Sequence, residues 1–235
     1  MTSHRNSQRG IALFVVMVMV LLSTLLVIWA TRTALFNEMV TGNDSDYQRT
    51  FEAAQAMVRD AEFDIMGTRA DGTTVCKADA AYTGCRPLAG SVFFPQDESD
   101  FQDLADVLRA QTPSCSNGIC TSDNLPAAEF WTNSANLSAM TASGVAATYG
   151  AHTAAKATEA SNPLLLTAGV APRAWYWVEV LPYNAGAMTE AGPAQKFAPD
   201  NGSPYVYRIT AVAQGLKPGG QAVVQTVFVR KRVSS

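Results

Sequence analysis

Four cysteines are the residues of this sequence with the clearest capacity for chemistry: Cys76, Cys85, Cys115 and Cys120. An even number of cysteines, all on one side of an apolar segment, suits an oxidising compartment. Of the three possible disulfide pairings, we favour the local one, Cys76 with Cys85 and Cys115 with Cys120. Each bond would then close a short loop that lacks a core of its own. A zinc site is the alternative, although the spacings are not of the paired C-x-x-C type.

Other residues suited to chemistry are few. The two histidines are His4 and His152, and we expect His152 to face solvent in an alanine-rich segment. Acidic residues are concentrated in 97–106, where we expect a solvated helix face; calcium binding there or at 200–203 is the alternative. No phosphate-binding or nucleophile-elbow motif is present. We therefore predict no catalysis, no cofactor and no bound metal. The acids are Asp97, Glu98, Asp100, Asp103 and Asp106.

The longest apolar segment, residues 11–30, contains no charge, glycine or proline. Twenty helical residues rise roughly 30 Å, the thickness of a bilayer's hydrocarbon core. Thirteen of them are Leu, Ile, Val or Phe, which favours insertion by roughly 4 to 8 kcal/mol. A buried core helix is one alternative. A secretory signal peptide is another, but its apolar core is shorter and Ile28 suits its cleavage site poorly. Arg5 and Arg9 precede the segment, so the positive-inside rule predicts that the bulk of the chain lies outside the cytoplasm.

An amphipathic pattern continues the helix beyond the apolar segment, through residues 32–67. Its apolar residues recur at intervals of four and three, which predicts one buried helix stripe. Gly42-Asn43 lies between the two parts, where we expect a kink or a melted turn, and Gly67 is the predicted stop. Arg59 and Asp60 fall mainly off the stripe. The stripe consists of Tyr47, Phe51, Ala54, Val58, Ala61 and Ile65.

The remaining chain, residues 68–235, indicates an α+β arrangement. A short helix is predicted at 97–110, with Asp97 or Ser99 near its N-cap. Residues 132–168 are rich in Ala, Ser and Thr, and we expect weak helix and exposed loop there. Strands are predicted at 174–181, 205–213 and 221–229. The last two are joined by the turn Lys217-Pro218-Gly219-Gly220 as an antiparallel hairpin, and the long loop 183–204 carries surface function or is mobile.

The leader Ser7-Gln8-Arg9-Gly10 before the apolar helix resembles the class III signal of type IV pilins. Three further stretches are similar to PilX-type minor pilins: the helix from Arg32 through Phe51-Glu52-Ala53-Ala54, the pair Cys115 and Cys120, and the closing strands. The resemblance implies a pilin-like fold, with a long N-terminal helix packed on a C-terminal antiparallel sheet. It implies a leader at 1–10, a transmembrane helix at 11–31, a helix extension at 32–67 and an extracytoplasmic pilin domain at 68–235.

The resemblance also implies how the leader is processed. A prepilin peptidase would cut between Gly10 and Ile11, and the new N-terminus at Ile11 would be methylated. Most pilins carry Glu at the fifth mature residue, which here is Val15. That Glu is thought to neutralise the amine of the subunit above, so its absence suits a subunit at the fibre tip. The alternative is that Val15 is simply a better membrane anchor.

The function implied by the resemblance is a non-catalytic minor pilin in a tip complex that primes pilus assembly, with roles in twitching and adhesion. Its partners would be other minor pilins, the major pilin, the prepilin peptidase, the inner-membrane assembly platform and a large tip adhesin. It would reside in the inner membrane and then in the surface fibre. A net charge of -3 offers no attraction to nucleic acid. The alternatives are a K-type minor pseudopilin of type II secretion and a plain single-span membrane binding protein.

Overall fold

One helix, α1 (Gln8–Met66), opens the structure, which is a computed structural model. The structure describes residues 8–77, 84–86, 92–121, 129–166, 171–183, 198–199 and 204–230. The chain forms two units, residues 1–45 and 46–235, and α1 contributes residues to both. The helix ends at the predicted stop, because Gly67 adopts a φ of +66°, the left-handed conformation that commonly follows a helix.

The helix is continuous through Gly42-Asn43, so the predicted melted turn is wrong. A glycine in a helix interior costs only about 1 kcal/mol relative to alanine. Helical hydrogen bonds continue on both sides of this position, and breaking the ladder would sacrifice several of them. One glycine is therefore too small a perturbation to interrupt a helix of 59 residues.

The second unit is built on a five-stranded sheet with the order β1-β2-β3-β4-β5. The pairs β1–β2, β3–β4 and β4–β5 are antiparallel, whereas β2 and β3 run parallel. The last three strands and the final hairpin confirm the predicted elements. The short β1–β2 hairpin at the cysteine pair was not predicted as strand. The strands are β1 (Cys115–Ser116), β2 (Ile119–Cys120), β3 (Ala174–Pro182), β4 (Tyr205–Gln214) and β5 (Gln221–Val229).

The domain part of α1 packs on one face of this sheet, as expected for a pilin-like α+β fold. The buried stripe is rotated from the predicted one. Tyr47 and Phe51 remain 59% and 39% exposed, whereas Ala54, Ala61 and Ile65 are buried as predicted. The rotation brings three acids to the domain side of the helix, so the placement of Asp60 off the stripe is wrong. The additional buried residues are Asp46, Thr50, Ala53, Met57, Asp60 and Asp64.

The opposite face of the sheet is covered by the segment between β2 and β3. This segment contains a 3-10 turn, Phe130–Thr132, and the short helix α3 (Ser134–Met140). The prediction of weak helix holds. The expected exposure is confirmed for part of the segment but not for Leu137 and Met140, which are buried in one cluster with Trp177. A sheet with two apolar faces must bury both of them against other elements. The small residues of this segment allow it to pack closely on the strands.

A second helix, α2 (Glu98–Arg109), lies between the first disulfide and β1. It confirms the helix predicted at 97–110, and its N-cap is Asp97, one of the two predicted residues. The Asp97 carboxylate accepts a hydrogen bond from the Asp100 backbone N–H at 2.9 Å, and the Asp100 carboxylate accepts one from the Gln96 N–H at 3.0 Å. These bonds satisfy N–H groups at the start of the helix that have no intrahelical partner.

Candidate functional site

The first candidate functional feature is the apolar surface of α1 in the N-terminal unit. Within the described residues, α1 is the one helix long and apolar enough to cross a membrane. Its polar side chains satisfy themselves on the helix: the Ser23 hydroxyl donates to the Met19 carbonyl and the Thr24 hydroxyl to the Leu21 carbonyl, both at 2.8 Å. Val15 is 50% exposed on this unit. An uncharged helical segment, as in residues 11–30, with its hydroxyls paired is suited to a hydrocarbon environment.

The predicted processing site lies near the start of this helix. The backbone of Gly10 and Ile11 is helical. His4 and Arg5 lie outside the described residues. The calcium alternative at residues 200–203 also falls outside them.

The second candidate feature is a buried polar cluster that joins α1 to the rest of the domain. Its centre is Asp64, whose carboxylate receives two hydrogen bonds from Arg86, from Nε at 2.9 Å and from Nη2 at 2.6 Å. The Tyr176 hydroxyl donates to the same carboxylate at 2.8 Å. All three side chains are buried, so the charge of Asp64 is met by a cation and a phenol rather than by water.

The electrostatics of this cluster follow from burial and from the charge of Asp64. Burial acts to lower the pKa of Arg86, but attraction and hydrogen bonding to Asp64 outweigh it and raise that pKa. Burial, together with the charges of Asp64 and Asp60, raises the pKa of Tyr176 well above its usual value. Arg86 therefore stays charged and Tyr176 stays protonated, which is the state that holds Asp64.

Asp60 lies one helical turn before Asp64 and has different partners. Its carboxylate accepts hydrogen bonds from the Thr153 hydroxyl and from the Gly150 backbone N–H, the latter at 2.9 Å. Burial raises the pKa of Asp60 to about 6, with the two hydrogen bonds opposing and the nearby charge of Asp64 adding to the rise. Two carboxylates one turn apart are thus held by different donors.

His152 is half-buried beside this cluster, so its predicted solvent-facing position is wrong. Burial lowers the pKa of His152 to about 4, and the positive charge of Arg86 adds to the decrease. The imidazole is therefore neutral at neutral pH. Local sequence pattern could not indicate this position, because Arg86 and His152 are 66 positions apart and come together only in the folded chain.

Asp46 fixes the start of the domain part of α1 to the β4–β5 turn. Its carboxylate accepts hydrogen bonds from the backbone N–H groups of Leu216 and Lys217 at 3.2 and 3.3 Å. Gly215 is required here, since a Cβ at this position would lie 2.5 Å from the Asp46 carboxylate. Asp46, Asp60 and Asp64 therefore form one line along the helix, each bound to a different part of the domain.

The disulfides join Cys76 to Cys85 and Cys115 to Cys120, the local pairing favoured from the sequence. The first bond immediately precedes Arg86 in the chain. Cys85 also forms an isolated bridge with Thr153, the residue that donates to Asp60. The bond therefore constrains both groups that hold the helix acids. The second bond closes the β1–β2 hairpin, and both of its cysteines are buried in the cluster that contains Trp177 and Met140.

The hydrogen bonds of this cluster attach α1 to the rest of the domain, and the cluster is not arranged as a reaction centre. Each buried carboxylate is already occupied by protein donors. Within the described ranges, no three His, Cys, Asp or Glu side chains are grouped to hold a metal ion. The acids at 97–106 are mostly exposed, as expected. Sequence reasoning missed the cluster, although the spacing of Asp46, Asp60 and Asp64 places them on one helix face and was a usable signal.

Comparison with protein families gives two matches. Residues 106–230 match the model described as "Type IV pilus assembly protein PilX C-term", and residues 9–59 match the model described as "PilX N-terminal". The first match covers the sheet and α3, and the second covers most of α1. Comparison with curated proteins and with solved structures found no match.

Proposed function

Because the chain belongs to the PilX family of type IV pilus minor pilins, we propose that it joins other minor pilins in a complex that primes pilus assembly. In this proposal the complex sits at or near the pilus tip and contributes to twitching and adhesion. The role of this subunit is positional and structural, in keeping with the generally non-catalytic character of the family.

The observation that carries the proposal is the combination of both PilX matches with an anchor helix that lacks a carboxylate. Val15 occupies the fifth position after Gly10, and residues 11–30 contain no charge. An unpaired charge in hydrocarbon costs about 2.5 to 3.5 kcal/mol or more. A subunit with no other subunit above it gains nothing to offset that cost. The absence of a carboxylate therefore supports a position at the tip.

Processing and orientation follow from the same proposal. Prepilin peptidase cuts between Gly10 and Ile11, and Ile11 becomes the methylated N-terminus. The arginines before the apolar segment stay on the cytoplasmic side, so the domain lies in the periplasm, where an oxidising environment allows both disulfides. On assembly, the apolar surface of α1 moves from the membrane into the fibre.

The proposed partners are the other minor pilins and the major pilin, with the inner-membrane assembly platform during growth and a large adhesin at the tip. A K-type pseudopilin of type II secretion is less well supported. A large helical insertion in the sheet domain would favour that alternative, whereas α3 has only seven residues.

The test is a deletion combined with mass spectrometry of the mature N-terminus. We expect the deletion strain to lose most surface pili and twitching, with recovery on complementation. We expect the mature chain to begin at a methylated Ile11. Normal piliation in the deletion strain would contradict the priming role, and an intact Met1 would contradict processing as a pilin.

A further inference from the structure

The further inference concerns the outer edge of β5, and it rests on the proposed function. β5 is the last strand in the sheet order, and its nine residues pair with β4 on one side only. Among the described residues, no strand or isolated bridge pairs with its other side. The backbone groups on that side are therefore available to another strand.

The register identifies which groups point outward. Gly215 donates its N–H to the Gly220 carbonyl at 2.7 Å, which makes this pair hydrogen-bonded. Hydrogen-bonded and non-bonded pairs alternate along an antiparallel ladder, and the β4–β5 register contains no bulge. The odd-numbered residues of β5 thus direct both N–H and carbonyl away from β4. They are Gln221, Val223, Gln225, Val227 and Val229.

This edge lacks the features that protect sheet edges in soluble proteins. Natural edges carry charges, prolines or bulges, or are kept short, because a regular edge recruits other strands. Residues 221–229 contain no charge and no proline, and five of the nine are Val or Thr. Val227 is 62% exposed. A long, regular and uncharged edge is expected where a strand is meant to be added.

The charges around the strand favour a different chain as the occupant, rather than a second copy. Arg230-Lys231-Arg232 directly follow β5, and Lys217 lies in the turn before it. Antiparallel pairing of two copies would bring Arg230 of each copy beside the 217–220 turn of the other, which contains Lys217, and like charges so placed are unfavourable.

We propose that β5 accepts an extended segment of another pilus component, which adds a sixth strand to the sheet. The segment is uncharged and rich in β-branched residues along the strand. It carries acidic residues at the end that lies beside Arg230. The minor-pilin complex is then held by main-chain hydrogen bonds at this edge as well as by its anchor helices.

Proline at position 227 tests the pairing directly. Val227→Pro removes an N–H that β4 does not use, and proline is tolerated on an edge strand. Val227→Lys adds a charge that opposes strand addition without changing the backbone. The control is Val75→Lys, which adds the same charge at a valine that is 57% exposed and lies away from the sheet.

Each variant is expressed in the deletion strain, and both surface pili and membrane levels of the chain are measured. We expect Val227→Pro and Val227→Lys to reduce piliation at least tenfold at normal chain levels, and Val75→Lys to restore it. Full complementation by both Val227 variants would overturn the proposal. Normal piliation in the deletion strain itself would instead contradict the priming function, so the two failures are distinguishable.

Hydrogen exchange provides a readout that does not depend on piliation. In the full chain purified in detergent, the outward amides of 221–229 should exchange rapidly. In the complex purified from membranes through a tag on this chain, they should exchange at least tenfold more slowly. Equal rates in the two samples would overturn the proposal. So would protection already present in the isolated chain, because a segment of the same chain would then cover the edge.

Discussion

Arg86 donates two hydrogen bonds to the Asp64 carboxylate, at 2.9 and 2.6 Å, where α1 packs on the sheet. The two residues are 22 positions apart, and the Tyr176 hydroxyl completes the arrangement from β3. The pair therefore joins three parts of the chain: the helix, the disulfide loop and the central strand. This attachment holds the domain part of α1 to the sheet and to the disulfide loop.

Removal of Asp64 should destabilise the domain strongly. Asp64→Ala leaves the Arg86 guanidinium buried without its partner, and breaking a buried ion pair typically costs about 3–5 kcal/mol. We expect a loss of that size in the free energy of unfolding, measured by denaturant titration of the detergent-solubilised chain with circular dichroism as the probe.

The matched control is Glu62→Ala on the same helix. Glu62 pairs with Arg59 at 3.0 Å on the exposed side, and exposed pairs contribute about 0–1 kcal/mol. A similar loss of unfolding free energy for the two variants would show that Asp64 contributes as an ordinary surface acid does and does not attach α1 to the domain.

Asp60 and His152 should oppose each other in the dependence of stability on pH. The folded-state pKa of Asp60 is raised from 3.8 to about 6, so the folded state binds the proton more tightly and Asp60 makes stability fall as pH rises from about 4 to 6. The pKa of His152 is lowered from 6.5 to about 4, so this group makes stability fall as pH drops from about 6.5 to 4. Each contribution is roughly 3 kcal/mol, and they nearly cancel.

Single substitutions should expose the two opposing contributions. In Asp60→Asn, only the His152 contribution remains, so acidification from pH 6.5 to 4 should destabilise this variant more than the wild type. In His152→Gln, acidification over the same range should destabilise the protein less than in the wild type. Melting temperatures measured across this range provide the comparison. Parallel pH profiles for both variants and the wild type would contradict the assignment.

The Cys76–Cys85 bond should stabilise the domain partly through Arg86. Closing a short loop contributes roughly 2–3 kcal/mol, and loss of this bond also frees the segment that carries Arg86. We expect Cys76→Ser with Cys85→Ser to destabilise the domain and to be less than additive with Asp64→Ala, because both disrupt one attachment. Removing the Cys115–Cys120 bond should be additive with Asp64→Ala, and unfolding titrations of the combined variants measure the difference.

The elements that follow from local pattern could be predicted from the sequence. The apolar run, the cap at Asp97, the stop at Gly67 and the final hairpin each depend on residues close together in the chain. The strand β2 could not be predicted, because its two residues gain their strand character by pairing with β1 and, in parallel, with the distant β3.

The burial of Asp60 and Asp64 was missed for a different reason. Hydrophobic periodicity assigns acids to solvent, and it fails where distant residues supply compensating hydrogen bonds. Asp60 is held by Thr153, 93 positions away, and Asp64 by Tyr176, 112 positions away. The burial of Leu137 and Met140 in the segment before β3 was missed in the same way, because it depends on the distant Trp177, with which they form one buried cluster.

A carboxylate at position 15 should gain nothing if this subunit occupies the tip. Val15→Glu introduces a charge that costs about 2.5 to 3.5 kcal/mol in hydrocarbon, and the proposed position provides no amine above it as a partner. We therefore expect Val15→Glu to reduce the chain's level in the membrane and its ability to restore piliation. Val16→Glu, one residue further along the same exposed segment, should reduce both to the same extent. Val15→Gln, which adds similar bulk without charge, should be milder than either. Better function of Val15→Glu than of Val16→Glu would indicate an amine above this subunit and would place it within the fibre rather than at its end.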